Sequence, residues 1–165
     1  MKTPIPDEDL RRGELSDATR RSIFEGKISE LDWEIARILY RINERYNISN
    51  ASFFKSLDLG RAVLVLTRGE AGLLIGKDGK IVSELSSALG RKVRIAEVGG
   101  DVKKSVADVI MPTRLLGINQ VFHEGREITK VRIAKSEIAH LPIDIPTLEK
   151  ALRSLIGHEV QLVFE

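Results

Sequence analysis

The residues with the clearest chemical promise are Gly76, Lys77, Asp78 and Gly79, with Lys80 directly after them. Glycines at both ends of this tetrapeptide remove the side chains that would hold a sugar-phosphate backbone away from the main chain. Amides at the start of a helix predicted over Ile81–Leu89 then face the phosphates, reinforced by the helix dipole. Lys77 and Lys80 add charge, whereas Asp78 opposes an anion and holds the expected affinity down. Ile75, Val82 and the apolar face of an adjoining strand would line a groove for unstacked bases. The chemistry is that of gripping a single-stranded phosphodiester. Arg61, Arg68, Arg91, Lys92 and Arg94 join the two lysines within 34 positions of sequence. Solvated surface charge is the bland account of each, but their crowding predicts a basic patch, with Arg68, Arg91 and Lys92 as further contacts to the phosphodiester.

Other chemistries fit poorly. Gly72-x-x-x-Gly76-Lys77-Asp78 superficially resembles a Walker A loop, but it is one residue short and has Asp where the magnesium-binding Ser/Thr belongs. His123, His140 and His158 show no close metal-ligand spacing. The many carboxylates fall at helix caps and polar faces, and no Ser-His-Asp arrangement emerges. The chain has no cysteine, which excludes disulfides, thiolate metal sites and cysteine nucleophiles and fits a reducing compartment. The expectation is a binding protein with no catalytic residues, metal or cofactor.

Composition sets the frame. At 165 residues, 42% hydrophobic and 30% charged, the chain reads as one globular domain or two very small ones. The 26 Lys and Arg against 24 Asp and Glu leave a formal charge of only +2, so any affinity for a polyanion depends on where the charges sit. No apolar run reaches the roughly 18 residues of a membrane span, and Met1-Lys2-Thr3-Pro4 opens no signal-peptide core. No membrane partner and a cytoplasmic location are expected.

The elements that must position the loop follow from periodicity. Residues 1–26 read as a peripheral arm, with Leu10, Leu15, Ile23 and Phe24 spaced for short docked helices. Ser29-Glu30-Leu31-Asp32 is a capping-box pattern, and Leu31, Ile35, Ile38, Leu39, Ile42 and Tyr46 form the stripe of an amphipathic helix. Trp33, off that stripe, is placed to dock the arm. Strands are predicted over Ala51–Leu57 and Arg61–Thr67, then short helical turns around the loop, then a strand over Lys92–Val98. The second half repeats the order: a helix over Asp101–Ile110, strands over Leu115–Phe122 and Arg126–Lys135, a helical stripe from Leu148 to Ile156, and a strand over Val160–Phe164. A shift of 67 positions lays Arg61–Val98 on Ile128–Glu165 without a gap. It keeps the helix-stopping glycines Gly90 and Gly157 in register. The loop does not survive the copy, because Ile143-Asp144-Ile145-Pro146 stands at the aligned positions. Proline lacks an amide donor and the isoleucines obstruct close approach.

GxxG between short helices, after a β-hairpin and before a strand, resembles the KH domain, whose GxxG loop clamps single-stranded nucleic acid. The order αββααβ resembles its type II variety. Tandem units of this kind, joined by Val106-Ala107-Asp108-Val109-Ile110-Met111-Pro112-Thr113-Arg114, resemble archaeal NusA-like transcription factors over about 29–165. The resemblance implies an α+β fold of two tandem type II KH-like units. These are a GxxG-bearing unit over 27–100 and a degenerate unit without GxxG over 101–165, after the arm at 1–26. It implies single-stranded RNA as ligand, a role in transcription elongation or termination, and RNA polymerase as a partner. Ribosomal subunits, as for a ribosome-associated or assembly factor, and a KH-like protein adaptor are the alternatives. In related archaeal KH proteins a zinc ribbon of two CxxC knuckles precedes an "ELD" helix. The corresponding stretches, Pro6–Asp9 and Ser16–Thr19, keep the spacing without the cysteines and imply a degenerate ribbon without zinc.

Overall fold

The computed structural model describes residues 1–165. Its α+β chain has seven α-helices and two three-stranded sheets. It divides into two compact units, Met1–Asp58 with Ala62–Glu97 and Leu59–Arg61 with Val98–Glu165. No helix is long and apolar enough to cross a membrane.

The first unit is built on α3 (Glu30–Tyr46), whose capping box forms as its sequence predicts. The Ser29 hydroxyl accepts from the Asp32 amide and the Asp32 carboxylate accepts from the Ser29 amide, both at 3.0 Å. The apolar stripe of α3 lies in a core with Val63, Val65, Leu74, Ile81 and Leu85. Its sheet is mixed: β1 (Phe53–Asp58) runs antiparallel to β2 (Ala62–Thr67), which runs parallel to β3 (Lys92–Glu97). With the order β1-β2-β3, the crossover from β2 to β3 must carry the helical segment that holds the loop.

The arm is more integrated than a peripheral segment. It forms α1 (Asp7–Arg12) and α2 (Asp17–Phe24), and Ile5 and Leu10 are buried in the core of α3. Lys2 extends the sheet, donating to the Ala51 carbonyl at 3.0 Å and accepting from the Phe53 amide at 2.8 Å. Of the apolar residues expected to dock, Leu10 does so, whereas Phe24 is 92% exposed. Trp33 lines a cleft with Leu15, Ile23 and Phe24 of the arm. At the positions compared with zinc knuckles, the buried Asp9 carboxylate accepts from the Ser16 amide, the Ser16 hydroxyl and the Thr19 hydroxyl. Three of the four ligand positions are thus tied by hydrogen bonds. Burial pushes the Asp9 carboxyl up, but the bonds from Thr19 and Ser16 outweigh it and hold it below its ordinary value. A depressed carboxyl stabilises the fold above its unfolded pKa of about 4 and loses that contribution as pH falls through the folded value. Emission from Trp33, the only tryptophan, should therefore change in acid below about pH 4, and Asp9→Asn should remove that step.

The second unit has α6 (Val102–Ile110), capped by Asp101, then β4 (Leu115–His123), β5 (Arg126–Ile133), α7 (Ile145–Ile156) and β6 (Glu159–Phe164). Its sheet has the same mixed pattern, β4 antiparallel to β5 and β5 parallel to β6. The gapless repeat needs one correction. Ala62 faces Lys92 in the first sheet, so the 67-residue shift would set Thr129 opposite Glu159, whereas Ile128 faces Glu159. Helix and last strand keep the shift; β5 is displaced by one residue. A gapless copy would map Val63 and Val65 of the core onto Lys130 and Arg132, and the slip puts Thr129 and Val131 inside instead. The extra residue falls between β5 and α7, in a connection occupied by a 3-10 turn over Lys135–His140.

Candidate nucleic-acid interface

β2 leads through Gly69 into α4 (Gly72–Ile75), a single turn held by a 2.6 Å bond from the Ala71 amide to the Glu97 carboxylate at the end of β3. The turn ends at Gly76, whose amide closes onto the Gly72 carbonyl at 2.8 Å. Gly76 has φ 79° and ψ 170°, a conformation reserved almost wholly for glycine. A methyl group there would overlap Ile81 Cγ1 and lie 2.9 Å from the Ile81 amide nitrogen. The first glycine is therefore fixed by packing within the protein as well as by any ligand.

Lys77–Gly79 forms a 3-10 turn in which Asp78 sits at φ 55° and ψ 27°, a left-handed position that Asp tolerates better than most side chains. The Gly79 amide bonds to the Gly76 carbonyl at 3.1 Å, while the Lys77 and Asp78 amides take no acceptor within the chain. Gly79, at φ 73° and with only Val82 Cγ1 within reach of an added β-carbon, is the N-cap of α5 (Lys80–Leu89) and caps it with no side chain. Two unclaimed amides, an uncapped helix start and the exposed Lys77 and Lys80 thus lie within five consecutive residues. Ile75 beside them is 37% exposed and Val82 is half-buried, so an apolar margin adjoins the donors.

Lys80 has a support that its sequence context did not reveal. Its ammonium lies 4.8 Å from the centroid of the Tyr46 ring. Tyr46 in turn donates its hydroxyl to Glu84 at 2.6 Å, and Arg45 holds the other oxygen of Glu84 at 2.8 Å. The last turn of α3 thereby fixes the start of α5. Tyr46 reads as the end of an apolar stripe; only tertiary packing sets its ring beside the loop.

The remaining basic residues do not form one patch. Arg91 and Lys92 lie beyond the far end of α5, whose ten residues from Lys80 span about 15 Å. Arg91 forks onto Asp58 with bonds of 3.1 and 2.5 Å, and that carboxylate raises its pKa further. Lys92 is exposed at the start of β3, and Arg94 is half-buried on that strand. Arg68 leaves the end of β2 and lays its guanidinium 4.0 Å from the centroid of Phe54, outside the loop. The structure thus groups Ile75, Gly76, Lys77, Asp78, Gly79, Lys80 and Val82, and sets Arg68, Arg91 and Lys92 apart.

The equivalent point of the second unit is closed. Asp144 is the N-cap of α7 and accepts from the Thr147 amide at 3.0 Å and the Thr147 hydroxyl at 2.8 Å. These bonds hold the Asp144 carboxyl below its ordinary range. Pro146 supplies no donor, so the helix start that is open in α5 is occupied in α7 by the protein's own carboxylate.

No protein-family model matches this sequence, and no curated protein sequence matches it. Among solved structures the chain is similar to the crystal structure of APE1850, at 20% identity and a TM-score of 0.50. The likeness covers 79% of this chain and 99% of that one. At this identity it speaks for the fold alone.

Proposed function

We propose that this protein binds single-stranded RNA at the Gly76–Gly79 loop of the first of two tandem type II KH-like units, and that it serves as a NusA-like transcription elongation or termination factor in the cytoplasm. The observation that carries the reading is the loop itself. Two successive main-chain amides without acceptors precede an uncapped helix, between Gly76, which packs on Ile81, and Gly79, where a side chain would meet only Val82. Phosphate oxygens satisfy such donors, and Lys77 and Lys80 supply the countercharge. Ile75 and Val82 offer aliphatic contact to bases, and with Tyr46 as the one aromatic ring beside the loop, sequence preference is weak. The second unit, its helix start closed by Asp144, contributes no such clamp.

Lys77→Asp tests the reading, because it places two carboxylates beside the unclaimed amides without altering the turn. Fluorescence anisotropy with short single-stranded RNAs should show an affinity loss of about tenfold or more, with the circular dichroism spectrum unchanged. The salt dependence should be shallow, as for a footprint of a few phosphates. Unchanged affinity in the variant would sink the clamp. Co-purification from cell extract then separates roles: RNA polymerase supports the transcription factor, and ribosomal subunits without polymerase support a ribosome-associated protein.

A further inference from the structure

The first unit carries a second cleft that the loop does not use. It has a volume of about 700 Å³ and lies where the chain start adds to the edge of β1. Lys2, Lys27 and Arg68 line it and no carboxylate does. Lys27 shares its charge with Glu25 at 2.8 Å, which leaves Lys2 and Arg68 as the cations facing the space. Both are anchored at the main chain. Lys2 is pinned by two main-chain bonds to β1, and Arg68 by its own amide on the Ser52 carbonyl at 3.2 Å and by its stack on Phe54.

Two unpaired cations facing a cleft that no carboxylate lines repel one another and favour an anion. The Arg68 guanidinium lies over the Phe54 ring at 4.0 Å and leaves its other side as a flat, charged platform, a surface on which nucleobases stack. Asn50 and Ser52 also line the cleft and supply polar side chains, and the volume is in the range of small-ligand sites, about 300–1,000 Å³. We infer that this cleft binds a nucleoside phosphate, with the base on the Arg68–Phe54 platform and the phosphate toward Lys2. The source is either the phosphorylated end of an RNA strand or a free mononucleotide. The inference stands on different residues from the Gly76–Gly79 clamp and does not depend on it.

The test is titration of the isotopically labelled full chain with adenosine 5′-monophosphate, followed through the amide resonances of Lys2, Phe54 and Arg68. Saturable shifts are expected, with adenosine alone and inorganic phosphate alone each at least tenfold weaker. Arg68→Glu should abolish the shifts while the dispersed spectrum of a folded protein persists. Lys2→Glu, which keeps the main-chain bridge, should weaken them, and Lys77→Asp should leave them intact. A 5′-phosphorylated oligonucleotide that shifts the same amides, where its unphosphorylated form does not, identifies a strand end. Shifts with the mononucleotide alone identify a free nucleotide. The inference is overturned if millimolar mononucleotide moves none of these amides, or if phosphate alone matches it. Loss of oligonucleotide binding in Lys77→Asp alongside either result leaves the clamp standing, so the two readings fail separately.

Discussion

Gly76→Ala should destabilise the protein by about 2–5 kcal/mol and, on the proposed clamp, abolish RNA binding, whereas Gly79→Ala should cost about 1–2 kcal/mol. Both glycines have positive φ, at 79° and 73°, but Gly76 lies at ψ 170° and Gly79 at ψ 17°. Their surroundings differ. A β-carbon at Gly79 meets only Val82 Cγ1 at 3.9 Å, an ordinary contact, while one at Gly76 runs into the side chain and amide of Ile81. Ile81 is 5% exposed and lies in the core with Leu74 and Leu85, so it cannot yield without disturbing the start of α5. Relief of the overlap would shift α4 against α5 and displace the Lys77 and Asp78 amides that the clamp uses. Urea denaturation of the two variants, paired with anisotropy measured where each is fully folded, decides the matter. Equal losses of stability would show that neither the overlap with Ile81 nor the ψ of 170° at Gly76 adds to the cost. Retained affinity in folded Gly76→Ala would show that loop geometry does not set binding.

What sequence revealed, and what it did not, divides by the range of the interactions involved. The capping box at Ser29–Asp32, the Asp101 cap and the glycine stops at Gly90 and Gly157 rest on neighbours within a few residues, and all form. The six strands likewise appear at the predicted places, because β-branched runs bounded by turn residues are a local signal. The Gly76–Gly79 turn is also local, and its dihedral angles agree with its residue types. The one-residue slip of β5 was within reach of the sequence. A gapless shift requires Lys130 and Arg132 to face a core, and the alternation of Thr129, Val131 and Ile133 argues against it. Identities near Gly157 concealed the slip, because the helix and last strand do keep the register. Long-range pairings were not legible. The bond from Arg91 to Asp58 and the seat of Lys80 on Tyr46 join residues more than thirty positions apart. Seven cations close in sequence therefore looked like one patch, although the length of α5 and an ion pair at its far end divide them.

Asp32→Ala unfolds the protein more readily by about 4 kcal/mol, the larger part of which comes from β1 rather than from the helix cap. Asp32 is 3% exposed, and its two carboxylate oxygens have separate tasks. One closes the capping box on the Ser29 amide. The other accepts from both the amide, at 2.8 Å, and the hydroxyl of Ser56, which is 5% exposed in the middle of β1. Truncation strands a buried amide and a buried hydroxyl in the sheet together with one helix-end donor, at about 1–3 kcal/mol for each buried group. Ser29→Ala, which removes only the reciprocal cap bond, should cost about 1 kcal/mol. Ser56→Ala removes the hydroxyl but leaves the amide bonded, and should cost a similar amount. The double variant Asp32→Ala with Ser56→Ala should be less destabilised than the sum of the two, since the stranded hydroxyl goes with its partner. An additive result would mean that the carboxylate and Ser56 act independently despite their contact. The oligonucleotide affinity of folded Asp32→Ala should stay within about twofold of the parent. The loop is fixed by Ile81 and by bonds between near neighbours, while Asp32 holds the opposite end of α3 from Tyr46. A larger loss would mean that the seat of Lys80 on Tyr46 depends on the placement of the whole helix against β1. Lys80 would then be a contact held by tertiary packing, and Lys77 one held by the local turn.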